Sequence, residues 1–462
     1  MPRFFSTVAL VSGLALLAAC ERAAPPEEML DQATADVEQS EQTGTGDFVL
    51  ALQQLEKAEK QLGQLLDKHS QSELAQELRE GNITVGPYTV RELREEVIPR
   101  ASERARIQRE GDLFDIALYV ANGLTDENVR SQAAMRTAAA IQHSGDTPRS
   151  LEIARRYGQP SVEMDALLEA RARADEGDYD ASLKALEALE DPTRRAAARL
   201  MIGEAMASEG HYESALAVID DAEKHLDIHL MAFRALARAY ATAGNYDKAL
   251  HYGRKAGDNA RTSDSLIEIA IILNEQSESD KTPEAWDADM AAEVLAETRE
   301  VIETMTNDQY RAEYLAVLAH TSADAGDQEQ ATRWFDEARK EAEGIESSRM
   351  RHESLGLIAF RLAGAGFEEL ALEVLDHSTR RLEEEDAAAF ISAELRPFEV
   401  HASLGDFETA IRKLLEIDNR TLFMDGLSTV ATAMSEQDAQ STEKQRVRLL
   451  LHARHLERPA GD

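Results

Sequence analysis

The chain has 462 residues, of which 87 are acidic and 50 are basic, so its formal net charge at pH 7 is −37. A charge of this sign and size excludes phosphate backbones and anionic lipid surfaces as expected partners. The acidic surplus is typical of a solvated surface, although a salt-loving or alkaline source or a basic partner would also account for it. One cysteine and 5% aromatic residues exclude a disulfide framework and favour helices packed through small residues.

The first 19 residues, MPRFFSTVALVSGLALLAA, have the pattern of a secretory signal peptide. A positive residue, Arg3, precedes an apolar stretch from Val8 to Ala19 that ends in small residues. This stretch is shorter than the roughly 20 apolar residues of a membrane span. Residues 1–19 are therefore expected to be a signal peptide.

The end of this segment, Leu17-Ala18-Ala19-Cys20, resembles the bacterial lipobox. The resemblance implies cleavage before Cys20 and lipidation of that cysteine. The following residue is Glu21, whereas an aspartate there retains lipoproteins at the inner membrane. The resemblance therefore implies an anchor in the outer membrane, on its periplasmic face. The alternative is an ordinary signal peptide with a stray cysteine.

Two segments separate Cys20 from the main part of the chain. Residues 20–47 contain Pro-Pro, acidic residues and Gly-Thr-Gly without a sustained apolar period, which predicts a lipidated flexible tether. Residues 48–110 carry apolar residues at spacings of three and four, interrupted by ITVGPY, and are expected to form an N-terminal helical cap.

One short phrase recurs along the next three hundred residues. Neighbouring copies lie 32 to 34 residues apart up to Gly244 and 39 or 40 apart after Gly326, and the 82 residues between these two glycines fit two units. Such a period predicts stacked helical repeats. The clear copies are GDYDASL at Gly177, GHYESAL at Gly210, GNYDKAL at Gly244, GDQEQAT at Gly326, GFEELAL at Gly366 and GDFETAI at Gly405; weaker copies begin at Gly111 and Gly145.

The phrase and its spacing resemble the tetratricopeptide repeat (TPR), a helix-turn-helix unit of 34 residues, over about residues 111–435. The resemblance implies an all-α, right-handed solenoid in which the glycine ends the first helix with a positive φ. An aromatic residue would fill the corner between the helices, and a small residue five positions after the glycine would let them approach. The repeat-defining residues are Gly177, Tyr179, Gly210, Tyr212, Ala215, Gly244, Tyr246, Ala249, Gly326, Ala331, Gly366, Ala371, Gly405, Phe407 and Ala410.

The two ends of the array depart from this pattern. Pro397 falls where a first helix should run, which predicts a kink in the last clear repeat. Residues 436–462 are expected to form a C-terminal capping helix and tail. The stretch EKQRVRLLLHARHLER at 443–458 is basic and amphipathic. It is expected to close the acidic array, and the alternative is a docking or membrane-surface helix.

The sequence contains no convincing catalytic or metal-binding motif. His225 and His229 lie four residues apart, and His452 and His455 three apart, but no glutamate follows the first histidine of either pair as in a metalloprotease helix. The Glu-Ser dipeptide of lytic transglycosylases occurs at Glu213 without the residues that should follow it, and again at Glu353. No catalytic residue, cofactor or metal is therefore expected.

These features predict a lipid-anchored periplasmic scaffold or adaptor that binds another protein or a peptide in the cell envelope, where it would serve envelope assembly. Nucleic acid is not an expected partner, and nothing in the sequence indicates the oligomeric state. One alternative is an enzyme built on a helical superhelix that acts on peptidoglycan or polysaccharide. Another is a structural spacer without a fixed ligand.

Overall fold

The computed structural model of the chain describes residues 24–158, 162–226, 230–277, 288–384 and 396–456. Apart from an isolated bridge between Val85 and Tyr88, the regular structure of these ranges is helical, which confirms the predicted all-α solenoid. Two compact units divide the chain: the first ends at Gly111 and includes Arg446–Leu451, and the second begins at Asp112. Cys20 and the predicted signal peptide lie outside the described residues.

The first unit begins with two packed helices rather than with the expected tether. In α1, Met29, Ala33 and Val37 recur every four residues and are buried, and α1 packs against α2. This apolar stripe is what makes the segment helical despite its acidic composition. The helices of this unit are α1 (Pro26–Thr43), α2 (Phe48–Lys68), α3 (Glu73–Glu80), α4 (Val90–Glu92), a π-helical turn (Leu93–Val97) and α5 (Ile98–Glu110).

The second unit begins with α6 (Leu113–Asn122) and continues, in the described part of the chain, as nine pairs of helices. The pairs are α7 (Glu127–His143) with α8 (Thr147–Tyr157), α9 (Val162–Asp175) with α10 (Tyr179–Ala185), α11 (Pro192–Ser208) with α12 (Tyr212–Glu223), α13 (Leu230–Thr242) with α14 (Tyr246–Gly253), α15 (Asn259–Ser277) with α16 (Ala288–Glu303), α17 (Asp308–Asp324) with α18 (Gln328–Gly344), α19 (Ser348–Gly364) with α20 (Glu368–Glu384), α21 (Pro397–Ser403) with α22 (Phe407–Leu414), and α23 (Arg420–Glu436) with α24 (Glu443–Leu456).

The recurring glycine phrase forms the turn inside seven of the pairs. Gly244 has φ 77° and its amide donates to the Ala241 carbonyl, while the next amide donates to Tyr240 at 2.8 Å. The side chain of Asn245 then accepts the Lys248 amide and caps the second helix. The glycine therefore ends one helix and the following residue starts the next. The same left-handed glycine occurs at Gly145, Gly177, Gly210, Gly326, Gly366 and Gly405.

Gly111 does not form such a turn. Its φ and ψ are −80° and 172°, so the backbone is extended, and α6 starts from a capping box between Asp112 and Asp115. The weak copy at this position therefore marks the boundary between the two units rather than a repeat.

Small residues allow the two helices of a pair to come close. Ala249 and its counterparts have no exposed surface, and on the first helix Ala237 is 1% exposed. At Gly203 a Cβ atom would lie 2.7 Å from Cγ1 of Ile219. The fully buried residues five positions after the turn glycine are Ser182, Ala215, Ala249, Ala331, Ala371 and Ala410.

Helices α23 and α24, numbered here as the ninth pair, are joined by a turn that holds Asp438 at φ 51°, where seven of the other pairs hold glycine. The amides of Asp438 and Ala439 donate to Ser435 and Met434, the hydrogen bonds of the other turns. The predicted C-terminal helix is α24 (Glu443–Leu456), and its residues Arg446–Leu451 belong to the first unit. Pro397 does not kink a helix, because it is the first residue of α21, where proline is tolerated.

The repeats stack through their first helices. Consecutive first helices from α9 to α23 pack against each other. Each second helix packs mainly on the first helix of its own pair and, between repeats, on the first helix that follows it. A continuous core of buried residues runs from Ala166 to Val400. Helix α23 also packs on α6 and α7, so the ninth pair contacts the start of the same unit. Within the described ranges, no helix is long and apolar enough to cross a membrane.

Candidate binding groove

The exposed residues of α9, α11, α13 and α15 form a continuous surface, which we call the first-helix face. Arg171, Glu204 and Arg238 each lie six positions before the glycine of their own turn. Because they occupy the same place in three consecutive repeats, the stacking of the helices brings their side chains into one row. The row therefore alternates between positive and negative charge across neighbouring helices.

Ion pairs link this row from helix to helix. The Nη2 atom of Arg238 lies 2.8 Å from Oε2 of Glu204, and its Nη1 lies 3.6 Å from Oε1 of Glu268. Glu268 also binds Nε of Arg234 at 3.1 Å. Arg171 is paired within its own helix, at 3.1 Å from Asp175. The arginines of the face are therefore already neutralised by acidic neighbours.

A groove of about 780 Å³ opens on this face between α9, α11 and α13. One wall is aromatic: the rings of Tyr179 and His211 meet edge to face at 5.7 Å. Met201, which is 47% exposed, adds a flexible apolar surface. The groove therefore combines charged, aromatic and apolar walls. Its main lining residues are Arg171, Tyr179, Met201, Glu204, His211 and Arg238.

Glu204 is the most perturbed acid of the groove. Burial raises the pKa of its carboxyl group, and the nearby guanidinium of Arg238 only partly offsets this effect. The side chain is 17% exposed. Removal from water disfavours a carboxylate unless cations or donors replace the lost hydration. A further positive group in the groove would therefore favour the ionised form of Glu204.

A second polar cluster, at the α12–α13–α14 junction, is structural. Lys248 Nζ lies 2.8 Å from Asp220, 3.0 Å from Glu223 and 4.4 Å from the centre of the Tyr240 ring. The hydroxyl groups of Tyr240 and Tyr252 donate to Glu223. These contacts connect α12 of the third pair to α13 and α14 of the fourth pair.

The structure uses the repeat-defining residues mainly for packing, as the burial of the small residues shows. Gly177 and Tyr179 also line the groove. Tyr246 is 5% exposed, and Tyr212 is half-buried. Phe407 starts α22 after Asp406, which caps that helix. The sequence analysis missed Met201, Glu204 and Arg238, although the equal distance of the last two from their turn glycines was a visible signal.

The predicted weak motifs do not come together as reactive sites. His225 lies beyond the end of α12, and His229 lies outside the described residues. His452 contacts the Ile417 carbonyl at 2.8 Å, while His455 is exposed. In the part of the chain that the structure describes, no group of three His, Cys, Asp or Glu side chains could hold a metal ion.

The two Glu-Ser dipeptides also lie apart from the groove lining. Glu213 is exposed in the first turn of α12, and Glu353 is paired with Arg349 at 3.0 Å.

The repeated turn, the buried small residues and the stacked first helices define a TPR-like helical repeat protein. No protein-family model matches the chain, and no curated protein matches it. Among solved structures, the chain is similar to a Signal Transduction ATPase with Numerous Domains (STAND) protein with a tetratricopeptide repeat sensor from Pyrococcus horikoshii. The identity is 15% and the TM-score 0.25, over 86% of this chain and 72% of that chain. A similarity of this size carries no argument about function.

Proposed function

We propose that the protein is a scaffold or adaptor that binds another protein or a peptide on its first-helix face. The groove between α9, α11 and α13 is the observation that carries the proposal, because residues from three repeats line it. Stacked helix pairs offer extended surfaces of this kind for protein recognition. The protein acts by binding, without a catalytic residue or a cofactor of its own.

Site-specific photo-cross-linking in intact cells tests this proposal. A photoreactive residue at Met201, in the groove, should capture a partner. The matched control is a photoreactive residue at Arg333, which is exposed on the second helix α18 and should capture much less of it. Equal capture from both positions would contradict binding on the first-helix face.

We further propose that the protein works in the bacterial envelope, anchored in the outer membrane through lipidated Cys20. The support is the lipobox-like segment Leu17-Ala18-Ala19-Cys20. Each buried CH₂ group contributes about 0.8 kcal/mol to membrane binding, so two or more acyl chains hold a protein stably. Cys20→Ala should move the protein out of the membrane fraction. A variant that still sedimented with membranes as before would rule out this anchor.

An enzyme that acts on peptidoglycan or polysaccharide is the second candidate, because Glu204 is an acid of raised pKa beside a groove. Perturbed acids in clefts are typical of catalytic sites. Against this role, Glu204 and Asp175 are both ion-paired with arginines, whereas a general acid must release its proton to the substrate. Hydrolysis of purified peptidoglycan by the native protein, lost in Glu204→Gln, would favour the enzyme.

A further inference from the structure

Building on the proposed scaffold function, we infer that the partner presents a basic segment, and that the groove holds one of its lysine or arginine side chains against Glu204. The inference extends the proposal from a surface to the chemistry of the ligand. It is carried by the charge of the groove lining, by the buried Oε1 atom of Glu204 and by the residues that form the walls.

The charge of the lining leaves room for a cation. Acidic side chains outnumber arginines by two, and each arginine is engaged by an acid: Arg171 with Asp175, and Arg238 with Glu204. A peptide carboxylate would have to displace one of these acids, whereas an ammonium or guanidinium group would not. The acids of the lining are Asp175, Glu176, Glu204 and Glu209.

Glu204 offers the matching acceptor. Its Oε2 is bound by Arg238, while Oε1, among the described residues, has no hydrogen-bond partner and no exposed surface. A buried acceptor without a donor is costly, and a charged donor gives the strongest hydrogen bonds. A small rotation of the carboxylate would present Oε1 to a cation in the groove.

The walls fit the rest of such a side chain. Tyr179 and Met201 both line the groove, and an aromatic ring attracts a cation while a thioether packs along an alkyl stem. Long basic side chains bury their methylene groups while their charged ends keep polar partners. The aromatic wall, the thioether and the buried carboxylate therefore suit lysine or arginine better than a small acidic or apolar side chain.

Fluorescence anisotropy with labelled peptides tests the inference on the purified full chain. The probes are a Gly-Ser peptide that carries lysines, the same peptide with acetyl-lysine, and the same peptide with glutamate, with free cadaverine as competitor. Salt at about 0.15 M limits attraction from distant charges. The lysine peptide should bind more tightly than the other two peptides and more tightly than cadaverine.

Three variants locate the binding. Glu204→Gln removes the acceptor charge, and Met201→Lys, at an exposed position, places a resident ammonium group in the groove. Each should weaken binding of the lysine peptide by about tenfold or more, which corresponds to about 1.4 kcal/mol. The control Glu297→Gln removes an equally ion-paired acid, 2.7 Å from Arg254, the residue that follows α14. It should change the affinity less than about twofold.

Each contrary outcome has a defined meaning. Equal weakening by Glu297→Gln would reduce the binding to general attraction by an acidic protein and overturn the inference. Tight binding of the acetyl-lysine or glutamate peptide, lost in Met201→Lys, would overturn the basic ligand but keep the scaffold. Cadaverine that binds as tightly as the peptide would point to a small cation instead. No binding of any probe would overturn the inference, while the cross-linking at Met201 still decides the scaffold.

Discussion

The second helices up to α14 are shorter than α16, α18 and α20. Around Gly244 the second helix, α14, has 8 residues, whereas α18 after Gly326 has 17. The first helices hardly differ, since α11 and α17 both have 17 residues. The second-helix layer is therefore longest at α16, α18 and α20, whereas α22 again has 8 residues. This layer can vary while the stacking of the first helices stays constant.

The two regions also present different chemistry on their first helices. The early repeats carry the ion-paired row of Glu204 and Arg238. The later repeats expose Tyr310 and Met350, which are 50% and 47% accessible. The row of Glu204 and Arg238 thus belongs to the early repeats, whereas exposed apolar side chains occur in both regions, as Met201 and Met350 show.

The largest expected effect lies in α18, a long second helix with a buried phenylalanine at its centre. Phe335 is 1% exposed and meets Phe367 edge to face at 5.6 Å. Phe335→Ala should reduce the free energy of unfolding by about 3–5 kcal/mol, as measured by urea denaturation. Tyr310→Ala, at an exposed aromatic position, should change it by no more than about 0.5 kcal/mol. An equal loss of unfolding free energy in the two variants would mean that Phe335 does not contribute to the core.

The prediction with the next largest effect tests the close approach of α11 and α12, the two helices of one early repeat. Gly203→Ala would place a Cβ atom 2.7 Å from Ile219, which is fully buried. Overpacking costs about 1–3 kcal/mol, against a gain of about 1 kcal/mol in helix propensity, so a net loss of stability is expected. Gly63→Ala in α2, with only Arg94 at 3.9 Å, should stabilise. A stabilised Gly203→Ala would contradict the close contact.

A third prediction compares how the contributions of two ion-paired acids to the stability of the protein change with pH. The pKa of Glu204 is raised by burial above its usual 4.5, and the pKa of Glu297 is lowered by hydrogen bonding to Arg254. A raised acid pKa means that the folded state binds more protons, so the contribution of Glu204 to stability falls as the pH rises above about 4.5. The contribution of Glu297 is present above that pH and is lost below it.

Thermal unfolding from pH 4 to pH 8 checks these two signs. The melting temperature of the native protein, minus that of Glu204→Gln, should fall with rising pH. The same difference for Glu297→Gln should rise. Parallel trends would show that both acids share one environment and would remove the electrostatic distinction between the groove and the rest of the array.

The repeats could be predicted from the sequence because their turn imposes a strict backbone requirement. A left-handed residue favours glycine, and the helix that follows favours an aspartate or asparagine cap, so the phrase keeps a visible pattern. The packing at Ala249 has the same origin, since only a small residue fits there. Local geometry of this kind leaves a trace in the sequence even without a relative to compare.

Other features left weaker traces. Helix α1 was not predicted, because its acidic residues and Pro-Pro are typical of a flexible segment. Its apolar residues Met29, Ala33 and Val37 nevertheless follow the spacing of a helix. Glu204 could not be singled out among the 87 acids of the chain. Only the stacking of the first helices shows which of these acids is buried.

The sequence analysis also missed an arginine that recurs near the start of several first helices, each time six residues after an apolar residue. It donates to the carbonyl of an apolar residue six positions earlier, in the loop that joins one pair to the next. The bonds are Arg130 to Leu124 at 3.3 Å, Arg195 to Leu189 at 3.0 Å, Arg311 to Met305 at 2.9 Å and Arg351 to Ile345 at 2.9 Å.

The smallest expected effect concerns the turn of the ninth pair, which departs from the sequence pattern because Asp438 stands where seven other turns have glycine. A left-handed φ of 51° costs a residue with a side chain about 1–2 kcal/mol, and aspartate somewhat less. Asp438→Gly should therefore stabilise the protein by about 0.5–1 kcal/mol, after the greater freedom of glycine in the unfolded chain is counted. The reverse change, Gly326→Asp at φ 85°, should destabilise by a similar amount. If Asp438→Gly instead lowered the melting temperature, the carboxylate would be stabilising its turn through local hydrogen bonds, as aspartate side chains can do, and the ninth turn would differ in chemistry from the others.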